Sequence, residues 1–322
     1  MANIELYIHN IQKGTIYQPL VEEGIKWETE RAGSPGKLTF TVLKDNIIDF
    51  QEGNPVKLII DGKGLFFGYV FSKSRNKDGL IKVTAYDQLR YFKNKDTYIY
   101  TNKTAAAVLK MIVDDFQLKW GIVEDTGYAI PKKIEDNKTL FDIVQNALDD
   151  TLRLTKNMFV LYDDFGRITL RNIKNMKLDL LIDEETAEDF DYTSSIDSNT
   201  YNQVKLVYEN EKTGKRDVYI TKDSGNINKW GILQYYDTLK SQEGGQAKAE
   251  ALLRLYNKKT RNLSIKDAFG DIRVRAGSTI AINLNIGDLI VQNYMMVEKC
   301  THTFTDNHHS MTLTLKGGEF IA

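Results

Sequence analysis

The chain is poor in several residue types, and each scarcity narrows its class. Its 322 residues include one cysteine and four prolines. A single Cys300 cannot form an internal disulfide, so we expect a fold that forms in a reducing compartment or independently of redox state. The sequence has no apolar run near the roughly 20 residues that cross a bilayer. Its first residues also lack the basic end and apolar core of a signal peptide, and synthesis in a cytoplasm is the simplest interpretation.

The chain also lacks an excess of either charge. Lysine and arginine number 43 against 44 aspartates and glutamates, which gives a formal net charge of −1. A dedicated nucleic-acid binder carries a basic excess, because phosphate neutralisation supplies most of its affinity. We therefore expect no sequence-specific binding to nucleic acid and, without a spanning segment, no membrane partner. The length is sufficient for two or three domains.

Alternation of polar and apolar residues dominates the first ninety positions and predicts β-strands. The clearest alternating segments are 4–8, 38–43 and 56–60. Asp61-Gly62 and Asp78-Gly79 each stand between apolar runs, where an Asp-Gly pair is a strong hairpin signal. Closely spaced strands joined by such turns predict a small barrel or sandwich.

Helical spacing appears after residue 100. Apolar residues recur every three or four positions over 105–116, with Thr101 or Asn102 as the expected N-cap, and again over 140–152. A hairpin is predicted at 158–171, around the turn Asp163-Asp164-Phe165-Gly166. Together these elements predict a compact α+β domain.

Strand patterns return in the last part of the chain, interrupted by one helix at about 246–257. The predicted strands cover 203–208, 216–221, 262–266, 279–284, 288–297 and 311–315, with a turn at 211–214. The expected fold class is α+β and mainly β, with two tube-like antiparallel β-barrel modules bracketing an α+β domain. The predicted domains are 1–95, 96–175 and 176–322, the last with a helical insertion at about 226–258.

Histidine and cysteine are too few and too poorly spaced for a recognised metal site. His302 and His308 would approach each other if they flank a hairpin, with Cys300 on the same strand face as His302. This spacing matches no established metal motif, so surface or interface histidines, His9 and His309 among them, and a buried packing cysteine are the favoured interpretation.

Acidic pairs raise the possibility of a glycosidase, which needs two carboxylates that converge across a cleft. The pairs are Asp114-Asp115, Asp149-Asp150 and Asp163-Asp164. The first two fall on polar faces of predicted helices and the third in a hairpin turn, so solvated surface is favoured. We therefore predict no catalytic, cofactor-binding or metal-binding residues, and no enzyme.

Several distinctive segments follow one another along nearly the whole chain. They are VTAYDQLRY at 83–91, LFDIV at 140–144, LYDDFGRITL at 161–170, KDSGNI at 222–227 with WGILQ at 230–234, GDIRVRAG at 270–277, His302, and HSMTL at 309–313. Each segment alone is weakly specific, but their succession resembles the XkdQ-like family of baseplate hub proteins from PBSX-type phages and related contractile tails.

The resemblance implies a particular assembly. Such hubs, which are similar to the hub part of type VI secretion spikes, carry two tube-like barrels per chain, so that a homotrimer forms a ring of six. The ring would join a tail tube protein, or tube initiator, to a central spike, with other baseplate or LysM-type tail proteins nearby. Assembly would take place in the bacterial host cytoplasm before incorporation into a phage tail or tail-like particle. Strand 65–71 and Tyr235-Tyr236 are candidate inter-subunit contacts, with ordinary core packing as the favoured alternative.

Two other functions stay open at this point. A tail-associated peptidoglycan hydrolase would need a carboxylate pair or metal triad in a cleft. A carbohydrate-binding tail protein would need exposed aromatic side chains grouped in one shallow groove.

Overall fold

The computed structural model describes residues 3–45, 47–197, 199–210, 213–239, 242, 244–285, 290–305 and 308–316, without the side chain of Glu23. The chain divides into two compact units. Unit 1 comprises Met1–Asp191 and Leu263–Ala322, and unit 2 is Tyr192–Asn262. The proposed division into three domains is finer than this and stays a prediction. Within the described residues, no helix has both the length and the apolar character needed to cross a membrane.

The first part of unit 1 is an antiparallel arrangement of seven strands. They are β1 (Ile4–Asn10), β2 (Thr15–Tyr17), β3 (Val21–Glu30), β4 (Lys37–Leu43), β5 (Pro55–Ile60), β6 (Lys63–Arg75) and β7 (Leu80–Tyr86). The predicted Asp61-Gly62 turn joins β5 to β6, because Ile60 pairs with Lys63 and both turn residues have positive φ, 48° and 73°. That combination is the two-residue hairpin turn that matches strand twist. Alternate residues of these strands form one buried core.

Two helices pack on strands in the middle of unit 1. The elements are a 3₁₀ helix (Gln88–Lys93), β8 (Lys95–Lys103), α1 (Ala105–Asp115), β9 (Trp120–Val123), β10 (Ile130–Thr139), α2 (Leu140–Thr155), β11 (Phe159–Asp163), β12 (Ile168–Asn172) and a second 3₁₀ helix (Ile173–Met176). The predicted helices and hairpin are confirmed. The N-cap of α1 is Thr104, whose hydroxyl accepts from the Ala107 N–H at 3.2 Å. Thr101 and Asn102 were the wrong caps because both remain in β8, paired with β10.

The remaining strands of unit 1 extend the first sheet. They are β13 (Lys177–Asp183), β14 (Asp189–Ser195), β18 (Thr260–Phe269), β19 (Thr279–Asn285), β20 (Ile290–Phe304) and β21 (His309–Lys316), of which β14 and β18 run across the unit boundary. Strand β20 pairs with β3, so one sheet of 13 strands runs from β14 to β2, with β13 and β19 on a branch from β20. The strand predicted at 288–297 begins outside the described residues.

The mainly β, α+β class is confirmed, with 53% strand and 19% helix. Two closed barrels are not confirmed, since the pairings between described strands leave the sheet open. The second strand group also departs from the expected antiparallel pattern, because β13 runs parallel to β19. A parallel pair needs a long crossover connection, and the chain between these two strands supplies it.

Unit 2 is a small sheet covered by a helix. Its elements are β15 (Gln203–Glu209), β16 (Arg216–Lys222), α3 (Ser224–Trp230), β17 (Gln234–Leu239) and α4 (Gly245–Tyr256). The strands lie in the order β16-β15-β17, and Ala249 of α4 packs against Val204 and Leu206 of β15. The predicted hairpin and the helix at 246–257 are confirmed, whereas part of the predicted turn at 211–214 lies outside the described residues.

Ile143 of α2 and Ile122 of β9 provide a matched test of the middle core. Ile143 is fully buried, whereas Ile122 is 57% exposed. Ile143→Ala is expected to lower the free energy of unfolding by about 2–5 kcal/mol, because it removes buried apolar surface and leaves a cavity. Ile122→Ala should change it by less than about 0.5 kcal/mol. Urea titrations followed by circular dichroism measure both, and equal effects would contradict this assignment of the core.

Candidate functional site

Three segments that are distant in sequence converge on a buried group of charges in unit 1. Asp87 follows β7, Asp163 ends β11, and Arg275 lies in the turn before β19. Asp87 and Asp163 are buried, and Arg275 is half-buried with its Nε shielded from solvent. We call this group the charged junction. Buried charges are costly unless they are paired and hydrogen-bonded, so their partners define what the junction does.

Asp87 holds two backbone segments together. Its Oδ2 accepts from the Gly36 N–H at 2.8 Å, and its Oδ1 accepts from the Leu89 N–H at 3.0 Å, which caps the first 3₁₀ helix. A Cβ at Gly36 would lie 2.3 Å from Oδ2, far inside van der Waals contact. Glycine at this position therefore allows the backbone to approach the carboxylate.

Asp163 fixes the hairpin between β11 and β12. Its Oδ1 accepts from the Gly166 N–H at 2.6 Å, and its Oδ2 accepts from the Gln88 side-chain amide at 3.3 Å. The residue is only 6% exposed, so the expectation of solvated surface was wrong for this member of the acidic pairs. It is buried because it satisfies the turn's amide and faces the junction.

Arg275 is the cation of the junction. One guanidinium nitrogen, Nη2, donates to the Asp163 carbonyl at 2.9 Å. The guanidinium lies 3.9 Å from the ring centre of Tyr162 and 5.7 Å from that of Trp27, which places it between two aromatic side chains. Its Nε is buried and makes no hydrogen bond to the described residues. Arginine suits such a site because its planar group stacks on rings and remains charged.

The junction contains two carboxylates but one guanidinium, and the pKa values of both carboxyl groups are raised. Burial, reinforced by Asp163, raises the pKa of Asp87 well above its usual range. Burial also raises the pKa of Asp163 to about 6, against the lowering effects of the Gly166 amide and of Arg275. A proton is therefore retained more readily here than on a surface carboxylate.

The space beside the junction is too small for a substrate. The cavity lined by Gly36, Asp87, Asp163 and Arg275 has a volume of about 10 Å³, which is the space of one water molecule. A glycosidase needs its two carboxylates on either side of a cleft that admits a sugar. The arrangement acts instead as a cross-link between segments.

A column of stacked rings lies next to the junction. Trp27 of β3 and His302 of β20 are cross-strand partners, with ring centres 5.0 Å apart. His302 Nδ1 lies 2.9 Å from His309 Nε2, and His302 Nε2 lies 2.8 Å from the Val274 carbonyl. His309 also stacks on Phe304 at 4.3 Å. The histidine that meets His302 is therefore His309.

The expectation that paired His302 with His308 was wrong. His308 is exposed, because it lies one residue outside the β20–β21 pairing, which begins at Phe304 and His309. His302 is fully buried and not a surface histidine, since it packs against Trp27. Cys300 shares its strand face as expected, with its sulfur 3.2 Å from His302 Nε2, and the cysteine is buried.

Burial keeps this column uncharged. It lowers the pKa of His302 to about 3 and that of His309 to about 4, and it raises the pKa of the Cys300 thiol. A thiol of this kind is a poor nucleophile. Within the described residues, no three or more His, Cys, Asp or Glu side chains are grouped so that they could hold a metal ion.

The other acidic pairs are engaged separately. Asp114 accepts from the Trp120 indole at 3.3 Å, and Asp115 accepts from the Tyr98 hydroxyl at 2.8 Å. Asp149 accepts from the Gln145 amide at 2.7 Å, and Asp150 pairs with Lys133. Each pair has its own local partners, which is typical of structural carboxylates.

The aromatic strands proposed as inter-subunit contacts pack largely within the chain. Phe67, Tyr69 and Phe71 of β6 are half-buried. Their rings contact Phe165, Tyr91 and Tyr86. In unit 2, Tyr235 stacks on Tyr256 at 5.6 Å. Tyr236 is the member of these two candidate groups with a strongly exposed ring, at 49%.

Sequence reasoning missed Gly36, Trp27 and Arg275 as partners in one site. Asp87 and Arg275 do lie in the segments at 83–91 and 270–277 that carry the family resemblance, which was the available signal. Nothing in the local pattern indicates that these segments meet, because their contact depends on the pairing of β3 with β20.

Gly36→Ala tests the close approach to Asp87. The added methyl group must displace the carboxylate from its two amide donors, so the free energy of unfolding should fall by about 1–3 kcal/mol. Ser34→Ala, in the same loop, adds no atom and is the control. Thermal unfolding by calorimetry compares the two, and an unchanged Gly36→Ala midpoint would contradict the tight contact.

His302→Phe tests the uncharged ring column through pH. Because the folded-state pKa of about 3 lies below the ordinary value of 6.5, His302 stabilises the fold fully above pH 6.5, and this stabilisation is lost as pH falls towards 3. Between pH 7 and pH 4, the native chain should therefore lose about 3 kcal/mol more stability than His302→Phe.

The exposed His308→Phe is the control for that measurement, and denaturant midpoints at several pH values give the comparison. The raised pKa of Asp163 acts in the opposite direction but is common to all three proteins, so it cancels in the difference. Equal pH profiles for the native chain and His302→Phe would contradict a neutral buried His302.

Comparison with known proteins identifies the family of this chain. A family model described as YQBQ-like matches residues 25–316. The phage-like element PBSX protein XkdQ of Bacillus subtilis (strain 168) is 28% identical over 320 residues, covering 96% of each chain. The resemblance to this family that the sequence motifs predicted is confirmed.

Solved structures share the fold at much lower identity. The 43 kDa tail protein of prophage MuSo2 from Shewanella oneidensis aligns over 99% of both chains, with a TM-score of 0.74 and 11% identity. The E. coli c3393 protein is described as a type VI secretion component similar to the T4 tail proteins gp27 and gp5. It aligns over 98% of this chain and 78% of its own, with a TM-score of 0.57 and 12% identity. The chain belongs to the YQBQ-like family and has the fold of phage tail proteins.

Proposed function

We propose that this chain is a structural hub of a phage-tail baseplate or a related contractile particle. The observation that carries the proposal is the alignment of essentially the whole chain with a prophage tail protein, together with the full-length similarity to XkdQ. In this function the chain is not an enzyme. It serves as a connector, and the buried charged junction holds its segments rigidly while the particle transmits force.

Open sheet edges support assembly of the chain into a ring. In the described pairings, β2 and β14 end the large sheet and β13 has a partner on one side only. Unpaired edge strands present free N–H and C=O groups that another strand can bond. Edges in a closed ring become paired between subunits, which turns a hazard of aggregation into an assembly device.

The two strand groups of unit 1 support the proposed symmetry. Strands β1–β7 form one group, and β13 with β18–β21 form the other, while the α+β elements from β8 to β12 lie between them in sequence. With two β modules per chain, a homotrimer presents six modules. Such a ring would match a six-fold tail tube on one side and a three-fold central spike on the other.

The proposed partners follow from that position. The tail tube protein or tube initiator would bind one end of the ring and the spike the other, with other baseplate proteins around it. The fold shared with a type VI secretion component is consistent with a spike-associated role. The chain would be assembled in the host cytoplasm and incorporated into the tail.

The mass of the purified protein in solution tests the ring. Multi-angle light scattering across a concentration series should show a species of three times the chain mass, and electron microscopy should show a three-fold ring. A chain with this fold that does not form a ring would remain monomeric. A stable dimer, or a monomer at every concentration, would contradict a self-assembling trimer.

A further inference from the structure

The sheet of unit 2 has two chemically different faces. Every second residue of β16 and β17 faces α4. On that side the core of Val204 and Leu206 is packed against Tyr219, Tyr235 and Leu239. The opposite face contains the other half of each strand, since successive side chains point to opposite sides. We call this second surface the open face of unit 2.

The centre of the open face is apolar and accessible. Val218 and Ile220 of β16 are 46% and 50% exposed, and Tyr236 of β17 is 49% exposed. Ile220 and Tyr236 both lie beside Lys205, and Val218 lies beside Val207, so the exposed residues are adjacent in the sheet. Large apolar residues grouped in this way mark interaction surfaces more often than isolated ones do.

A hydrogen bond across the face shows how its side chains are held. Arg216 of β16 donates from Nη2 to the Tyr236 hydroxyl of β17 at 3.0 Å. Because β15 lies between these strands, the bond passes over β15. Val207 of β15, on the same face, is fully buried. The exposed side chains of the open face therefore rest on a buried layer and are held in place by a hydrogen bond.

The charges on this face are unequal. By strand alternation, this face carries the basic residues Lys205, Arg216 and Lys222. The opposite face, towards α4, carries the acidic residues Asp217 and Asp237. The carboxylate on the open face is Glu209, which pairs with Arg216 at 3.4 Å. The open face therefore combines an apolar centre with a surplus of positive charge, and it is complementary to an acidic segment.

The chain itself contains such a segment. Residues 183–191 read DEETAEDFD, with six carboxylates in nine residues and no basic residue. Glu185, Glu188 and Asp191 are exposed, and exposed Leu181 lies two residues before the segment. This segment, which we call the acidic turn, joins β13 to β14. Its composition matches the open face in charge and supplies an apolar residue for its centre.

We propose that the open face of unit 2 binds the acidic turn of a second copy of this chain. The inference rests on the proposed homotrimer and names one contact that would hold it together. The contact is heterologous, since one surface of each copy meets a different surface of the next, and such contacts close into rings when the rotation allows it. Because much of the attraction is between exposed charges, salt should weaken it.

Paired charge reversals test this contact in the full-length protein. Lys205→Glu with Lys222→Glu changes the open face from two net positive charges to two net negative charges, and Glu185→Lys with Glu188→Lys lowers the acidic turn from six net negative charges to two. Each double variant should self-associate at least about tenfold more weakly than the native chain in sedimentation velocity at low salt. The first brings like charges together, and the second removes most of the attraction. The variant with all four substitutions lowers the repulsion that the reversed open face creates, because the acidic turn then carries fewer negative charges. It should therefore associate more strongly than Lys205→Glu with Lys222→Glu.

The control is Lys248→Glu with Lys138→Glu, which changes two exposed lysines on α4 and β10. It gives the same total charge as the reversed open face, so it separates a local effect from a general one. Association equal to that of the native chain is expected for the control. Circular dichroism of every variant checks that the fold is retained.

Cross-linking gives a second readout that needs no substitution. A carbodiimide joins lysine to carboxylate without a spacer, and a mixture of ¹⁴N and ¹⁵N chains identifies links between copies by mass spectrometry. Links from Lys205 or Lys222 to residues 183–191 are expected in mixed pairs. A native chain that stays monomeric, or reversals that behave like the control, would overturn the proposal.

These outcomes distinguish the contact from the hub itself. A trimer whose association is indifferent to both reversals, without the cross-links, would remove this contact and leave the ring intact. Weaker association in both double variants, with partial recovery of the reversed open face in the fourfold variant, would establish the contact whichever partners the ring binds.

Discussion

The buried guanidinium of Arg275 is the interaction on which unit 1 depends. It lies among two buried carboxylates and two aromatic rings, and it donates to the carbonyl of Asp163. Asp163 and Arg275, which meet there, are 112 residues apart, and Asp87 lies still further from Arg275 in sequence. Removing one partner of such a buried group leaves an uncompensated charge, which is far more costly than losing a surface ion pair. The junction therefore fixes the relative positions of the segments around it.

The ring column continues this constraint into the large sheet. Trp27 contacts both Arg275 and His302, so the charged junction and the uncharged histidines share one side chain. Trp27 and His302 are buried at the pairing of β3 with β20, two strands that are far apart in sequence. Separating β3 from β20 would expose the buried polar atoms of these residues, which would cost free energy.

The bonding of the charged junction is that of a structural group. The buried carboxylates that a glycosidase would use are bonded to backbone amides, and the cavity beside them has the volume of a water molecule. The described surface includes features that can bind another chain. They are strand edges without a partner in the described pairings, and a basic face with an apolar centre. The proposed hub and the proposed contact of the acidic turn both use these surfaces rather than a cleft.

The sequence alone determined the local elements and the family. The Asp61-Gly62 turn, the helix beginning at Leu140 and the hairpin around Asp163 follow from short-range rules of turn chemistry and periodicity. Only the tertiary structure decided which segments meet. It placed Asp163 in the interior, matched His302 with His309, and paired β13 parallel to β19. Burial and strand order depend on contacts between distant residues, and no local pattern encodes them.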